Sequence, residues 1–161
     1  MSVIVGYIPT REGRAALRAA SGEAMLRKTK LVVVNSHRGG RDFDAEEAQR
    51  FEDELGKVQR ALDEAGIEHE VRALVRGNEP AEDLVEVAEE SEGELIVIGL
   101  RRRTPIGKLI LGSNAQRILL EASCPVLAVK AGGTLILEQE RVVELADRYG
   151  IVVVAYEDSP Q

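Results

Sequence analysis

Apolar residues run along this chain in two alternating rhythms. Short runs rich in β-branched residues, "SVIVGYI" (2–8), "TKLVVVNS" (29–36), "IEHEVRALV" (67–75), "ELIVIG" (94–99) and "CPVLAVK" (124–130), have the length and continuity of buried strands. Helical patterns fill the gaps between them. "TREGRAALRAASGEAML" follows Pro9, with Thr10 placed to cap and a run of alanines favouring a helix. Residues 44–66 space Phe51, Leu55, Val58 and Leu62 three and four apart, which predicts an amphipathic helix stopped by Gly66. "EPAEDLVEVAEESEG" predicts a third helix with Pro80 at its start and Gly93 past its end, and "SNAQRILLEAS" a fourth. The third strand alternates apolar and polar residues, which suits either one face near solvent or an edge.

Strands alternating with helices, the strands continuously apolar, predict an α/β fold. Its form is a doubly wound, mostly parallel five-stranded sheet with helices on both faces. Ligands in such sheets bind beyond the carboxyl ends of the strands, at the point where strand order reverses. Those ends are "YIPT", "NSHRGG", "RGN" and "GLRRR". This domain is expected to span 1–130. Residues 131–161 form a C-terminal extension: "AGG" reads as a hinge, "TLILEQ" as a strand, "ERVVELADRYG" as a helix and "IVVVAYE" as a strand. Such a β-α-β tail is too small to stand alone, so it must pack on the same sheet or on a dimer partner.

Composition narrows the functions available. The 161 residues carry 21 Lys and Arg against 28 Asp and Glu, a net charge of −7, which argues against nucleic-acid binding through a basic surface. No run reaches the length of a membrane span, and "MSVIVGYIP" lacks the features of a signal peptide, so a cytoplasmic, soluble protein is expected. The lone Cys124 excludes an internal disulfide and reads as a small buried hydrophobe. His37 and His69 have no metal-like spacing, the acidic runs read as solvated helix faces, and the P-loop pattern is absent. No catalytic residue and no metal ligand is named.

The chemistry concentrates between Gly99 and Asn114. Gly99 ends a strand, where a missing Cβ lets a ligand approach the backbone. Gly112, Ser113 and Asn114 open a helix whose free N–H groups and positive dipole end attract an anion. The same three residues also fit an ordinary helix cap. Arg101, Arg102 and Arg103 fit either bidentate contacts to phosphate or a solvated loop.

At this spacing the sequence resembles the universal stress protein family, whose nucleotide motif is Gly-x-x-Gly, nine residues, then Gly-Ser or Gly-Thr. Here Gly99 is followed by "LR", Arg102, the nine residues "RTPIGKLIL", then Gly112 and Ser113. "VGYIPTREGRAAL", "EPAEDLVEVAEESEGELIVIG" and "CPVLAVK" are also similar to family segments, so the resemblance covers about 1–130. It implies an adenine nucleotide alpha hydrolase-like fold and a stress-response protein that holds ATP or AMP, with magnesium accompanying ATP. It also implies a homodimer in which the strand matching "CPVLAVK" pairs antiparallel with its copy. Adenine would be read by backbone at Asn35 and Ser36.

Two positions depart from the family pattern. Arg102 stands where the second motif glycine is expected, so its side chain either blocks the close backbone approach that a triphosphate needs or itself grips phosphate. Ile8 stands at the family's ribose-binding aspartate, and a ribose hydroxyl left unmatched costs roughly 1–3 kcal/mol. "VVVAYEDSP" in the tail resembles the family's usual first-strand ending, which puts Asp158 forward as a replacement carboxylate. The expected nucleotide-binding residues are therefore Ile8, Ser36, Gly99, Arg102, Gly112, Ser113 and Asn114. The alternative is a family member that binds no nucleotide and acts as a dimeric interaction or regulatory module.

Overall fold

The computed structural model describes residues 1–39, 45–100 and 112–130. Along the chain run β1 (Ser2–Gly6), α1 (Arg11–Arg27), β2 (Lys30–Ser36), α2 (Ala45–Glu64), β3 (His69–Leu74), α3 (Pro80–Glu90), β4 (Gly93–Leu100), α4 (Ser113–Glu121) and β5 (Val126–Lys130). The five strands form one sheet in the order β3-β2-β1-β4-β5, and every pairing in it is parallel. The expected fold class is therefore observed for the described residues. Arg101, Arg102, Arg103 and the whole 131–161 extension, Asp158 included, lie outside them.

Strand parity divides the interior into two cores. In β1 and β2, Val3, Val5, Leu31 and Val33 turn to one face and pack with Ala16, Ala20 and Ala24 of α1 and Leu55, Val58 and Leu62 of α2. Ile4, Val32 and Val34 turn to the other and pack with Ala81, Leu84, Val87 and Ala88 of α3 and Ile118 of α4. Each fully buried Val, Leu or Ile contributes about 1.5–3 kcal/mol, so the central strands anchor the domain. The alanines of α1 have a geometric purpose: small side chains let that helix lie close over β1 and β4.

The edges behave as their patterns suggest. β3, with its alternating sequence, is an edge strand and none of its residues is fully buried. Gly66, at φ +67°, takes the left-handed turn beyond α2. Gly93 lies past the end of α3, as expected. The left-handed residue there is Glu92, at φ +50°, while Gly93 already belongs to β4. Gly93 is small for another reason: a Cβ there would come within 3.0 Å of the Ala88 carbonyl oxygen. The first strand ends at Gly6, two residues before the expected Ile8.

Candidate functional site

Strand order reverses between β1 and β4, so the crevice predicted for ligands opens at the carboxyl ends of these two strands. The loop after β1 carries Tyr7, Ile8, Pro9 and Thr10 into α1. The Thr10 hydroxyl accepts a hydrogen bond from the Gly13 N–H at 3.1 Å, and the Thr10 N–H donates to the Ile8 carbonyl at 2.7 Å. This tight corner depends on Gly13, because a Cβ there would lie 1.9 Å from the Ile8 carbonyl oxygen.

The same first turn of α1 meets β4. A Cβ on Gly99 would sit 2.5 Å from the Glu12 carbonyl oxygen and 2.7 Å from its carbon. Gly99 is thus required by helix packing, whatever else it does. One helical turn touches both Gly99 and Ile8 and brings these two expected site residues to the same corner. The Ile8 side chain is 37 % exposed there and offers no hydrogen-bonding atom.

Gly112 is the N-cap of α4, with extended backbone at φ −67°, ψ 160°, and it makes no side-chain capping bond. Its carbonyl accepts the Gln116 N–H at 3.0 Å, leaving the N–H groups of the first turn without a cap from Gly112. Ser113 and Asn114 are exposed in that turn. Arg117 pairs with Glu82 of α3 at 2.7 Å and, within α4, with Glu121 at 2.9 Å.

The neighbouring mouth, at the ends of β2 and β3, is filled by its own side chains. Asp83, fully buried in the first turn of α3, accepts the Ser36 hydroxyl at 2.6 Å and the Asn78 amide at 2.9 Å. The Ser36 hydroxyl is therefore directed to α3 and not to the β1–β4 crevice. Asn35, also buried, donates from Nδ2 to the Tyr7 carbonyl at 2.8 Å and ties β2 to the β1 loop. Beside it, His37 stacks edge-on against Phe51 with ring centres 5.8 Å apart.

On the α2 side of the β1 loop lies an open cleft of about 340 Å³ lined by Pro9, Arg14, Arg50, Asp53, Glu54 and Lys57. Burial raises the pKa of the Tyr7 phenol, the nearby Glu54 carboxylate pushes the same way, and Arg14 opposes both. Lys57 pairs with Glu54 at 2.6 Å and Arg50 with Glu46 at 2.6 Å, so the lining charges are largely matched.

Of the seven expected residues, Ile8 and Gly99 meet at one corner, Gly112, Ser113 and Asn114 open α4, Ser36 belongs to the adjacent mouth, and Arg102 is outside the described residues. Sequence reading passed over Gly13 and Asp83. Gly13 left only a weak signal, a glycine in the first turn of an otherwise alanine-rich helix. Asp83 left none, because an aspartate in an acidic helix looks like any other. Among the described residues no three His, Cys, Asp or Glu side chains gather as a metal site would require, and no helix is long and apolar enough to cross a membrane.

Comparison with known proteins brings these features together. The profile of the universal stress protein family matches residues 1–130. A universal stress protein of Mycolicibacterium smegmatis is 42% identical over 131 residues, covering 81% of this chain and 98% of that protein. The solved universal stress protein of Archaeoglobus fulgidus superposes with a TM-score of 0.72 at 37% identity, over 81% of this chain and 98% of that one. A universal stress protein from the same organism, solved in complex with dAMP, gives a TM-score of 0.67 at 32% identity, again over 81% and 98%.

Proposed function

The chain belongs to the universal stress protein family, and from that premise we propose that it binds an adenine nucleotide at the carboxyl ends of β1 and β4. The observation that carries this reading is the start of α4. It follows β4 at family spacing, and Gly112 gives its first turn no side-chain cap. Backbone N–H groups with a positive dipole end are suited to a phosphate. The relative solved with dAMP, 32% identical, supports a nucleotide of the AMP type.

In this proposal the phosphate lies against Gly112, Ser113 and Asn114, with the Ser113 hydroxyl as a donor. Arg102 adds charge from the connecting segment. The base lies near the end of β2, read by backbone at Asn35 and Ser36, since the Ser36 hydroxyl is engaged by Asp83. The ribose lies near Ile8. ATP is the second candidate, and magnesium would then be held mainly by the phosphates, as is usual for that ion. A cytoplasmic setting belongs to the same proposal.

A second reading has its own support. Gly99 is explained by packing on Glu12 alone, and Ile8 gives a ribose nothing to bond. That favours a family member whose crevice serves protein contacts. Thermal unfolding with AMP, dAMP and magnesium-ATP separates the two. Binding at a hundredfold excess over Kd stabilises the fold by about 2.7 kcal/mol. A rise in Tm with AMP or dAMP is expected; no shift with any of the three sinks the nucleotide reading in favour of the second.

A further inference from the structure

We propose that the buried side chain of Asn35 selects the base: it accepts a hydrogen bond from the exocyclic amine of adenine and rejects purines that carry a carbonyl there. The inference rests on the nucleotide reading above and adds a discriminating side chain to it. Asn35 is 2% exposed at the carboxyl end of β2, and its Oδ1 is buried with no hydrogen-bond partner among the described residues. The orientation of the amide is fixed. Its other end lies 2.8 Å from the Tyr7 carbonyl, which can only accept, so that end is the NH2 group and Oδ1 is the atom left over. A buried acceptor without a donor is costly to keep, and a ligand that brings the donor removes the cost.

The strand ladder sets this acceptor beside two more polar groups. The His37 N–H donates to the Leu74 carbonyl at 2.8 Å, and Ser36 lies opposite Leu74. In a parallel ladder this register spends the peptide groups on either side of Ser36 on β3. It turns the N–H and carbonyl of Ser36 itself towards β1. There the ladder has run out. Its last rung is the Tyr7 N–H on the Val34 carbonyl at 2.8 Å. The Tyr7 carbonyl, next in line for the Ser36 N–H, is taken by the Asn35 amide. Pro9, next in line for the Ser36 carbonyl, has no N–H to give. The Ser36 hydroxyl is no substitute, being held by Asp83 at 2.6 Å. One donor and two acceptors therefore gather beside the end of β1: the Ser36 N–H, its carbonyl and Asn35 Oδ1. Adenine presents a ring nitrogen that accepts, next to an amine with two hydrogens. The Ser36 N–H serves the ring nitrogen, its carbonyl takes one amine hydrogen and Asn35 Oδ1 takes the other. The backbone pair alone discriminates poorly. Hypoxanthine or guanine, with a carbonyl beside a ring N–H, satisfies one donor and one acceptor equally well after a small slide. Asn35 Oδ1 breaks that tie, because it would meet their exocyclic oxygen acceptor to acceptor.

Calorimetric titration of the full chain with three probes tests this: AMP, inosine monophosphate, and AMP methylated once on its exocyclic amine. AMP should bind about tenfold or more tighter than inosine monophosphate. The methylated AMP, with one amine hydrogen gone, should bind about fivefold more weakly than AMP. Reading by backbone alone uses one amine hydrogen and would leave the methylated probe as good as AMP. In Asn35→Leu, of similar volume, the preference for AMP over inosine monophosphate should fall to about twofold. An Asn35 that only held the β1 loop would weaken both nucleotides alike and keep their ratio. Where Asn35→Leu does not fold, the methylated probe on the unsubstituted chain still decides. Equal binding of AMP and inosine monophosphate, full affinity for the methylated probe, or an unchanged ratio in folded Asn35→Leu each overturns the assignment and leaves the nucleotide reading standing. Failure of all three probes to bind removes the nucleotide reading and this inference with it.

Discussion

The two mouths on the carboxyl side of the sheet are built on opposite principles. At β2–β3 the chain supplies both donor and acceptor: Ser36 and Asn78 converge on buried Asp83, and Asn35 holds the Tyr7 carbonyl. At β1–β4 it supplies glycines, an isoleucine and a helix start that Gly112 does not cap with a side chain. Around Asp83 the donors and acceptor are matched and finished as structure, although Asn35 Oδ1 is buried at the same mouth without a hydrogen-bond partner among the described residues. A mouth made by close backbone packing next to a helix that Gly112 does not cap with a side chain leaves its electrostatics for something else to use. The difference is why one is read as support and the other as a site.

The most severe way to break the contrast is to fill the second mouth. Gly13→Ala would put a methyl 1.9 Å from the Ile8 carbonyl oxygen, and overpacking against backbone should cost about 3 kcal/mol or more. Gly22→Ala in the same helix is the control. Nothing lies within 4 Å of its new methyl, so it should stabilise by about 0.5–1 kcal/mol. Urea unfolding reads both. Equal effects of the two substitutions would mean that the corner yields freely and is not fixed by backbone contact.

Breaking the first mouth should cost slightly less. Asp83→Ala leaves the Ser36 hydroxyl and the Asn78 amide without their shared acceptor, a loss of about 2–3 kcal/mol. Ser36→Ala removes one of the two bonds and should cost about 1 kcal/mol. A loss of a few tenths for Asp83→Ala would show that the cluster is replaceable and not a true closure.

The fold was legible in the sequence because its signals repeat. Each buried strand carries several β-branched residues, and Phe51, Leu55, Val58 and Leu62 mark the face of α2 with a regular step. Leu55, Val58 and Leu62 are indeed buried. Gly99 and Gly112-Ser113 drew notice because chemistry coincides with spacing there, and the structure puts Gly99 near the end of β4 and Gly112 at the start of α4. Asp83 was not legible, because its role comes from β2 and the β3–α3 loop arriving beside it, contacts that no local pattern encodes. Gly99 shows the converse: it drew notice as a place for ligand approach, and the structure also gives it a neighbour, Glu12.

A smaller effect tests what the open mouth recognises. Ile8 carries no hydrogen-bonding atom, so a nucleotide bound beside it should gain nothing from its ribose hydroxyl there. AMP and dAMP are expected to bind within about twofold of each other. Ile8→Asp should then favour AMP by roughly tenfold, about 1.4 kcal/mol, through one new charge-assisted bond. Calorimetric titration of both nucleotides with both proteins reads the ratio. Strong preference for AMP in the unsubstituted chain would place the ribose away from Ile8, or give it another carboxylate.

The smallest effect extends the self-satisfied half of the molecule to its outer strand. On β3, Glu70 accepts from Lys30 of β2 at 2.7 Å and from Arg72 at 2.6 Å, and Arg72 reaches on to Glu90 of α3 at 2.9 Å. The hydrogen bonds from Lys30 and then Arg72 hold the Glu70 carboxyl below its ordinary 4.5, against a weaker opposing effect of burial. A carboxylate whose folded pKa is depressed stabilises the fold above its unfolded pKa, and loses that contribution as pH falls through the folded value. Glu70 remains about a third exposed, so solvent screening limits the cluster to about 0.5 kcal/mol. Glu70→Gln should therefore be less stable than the parent chain by that amount near neutral pH. The gap should narrow as pH falls below 4.5, because the unfolded parent then takes up a proton at Glu70. It should close once pH passes the lower folded value and the folded carboxylate is protonated too. Urea midpoints across the acid range measure it. A gap unchanged down to roughly pH 3 would mean that Glu70 acts through packing and not through charge, since the usual carboxyl would be neutral there.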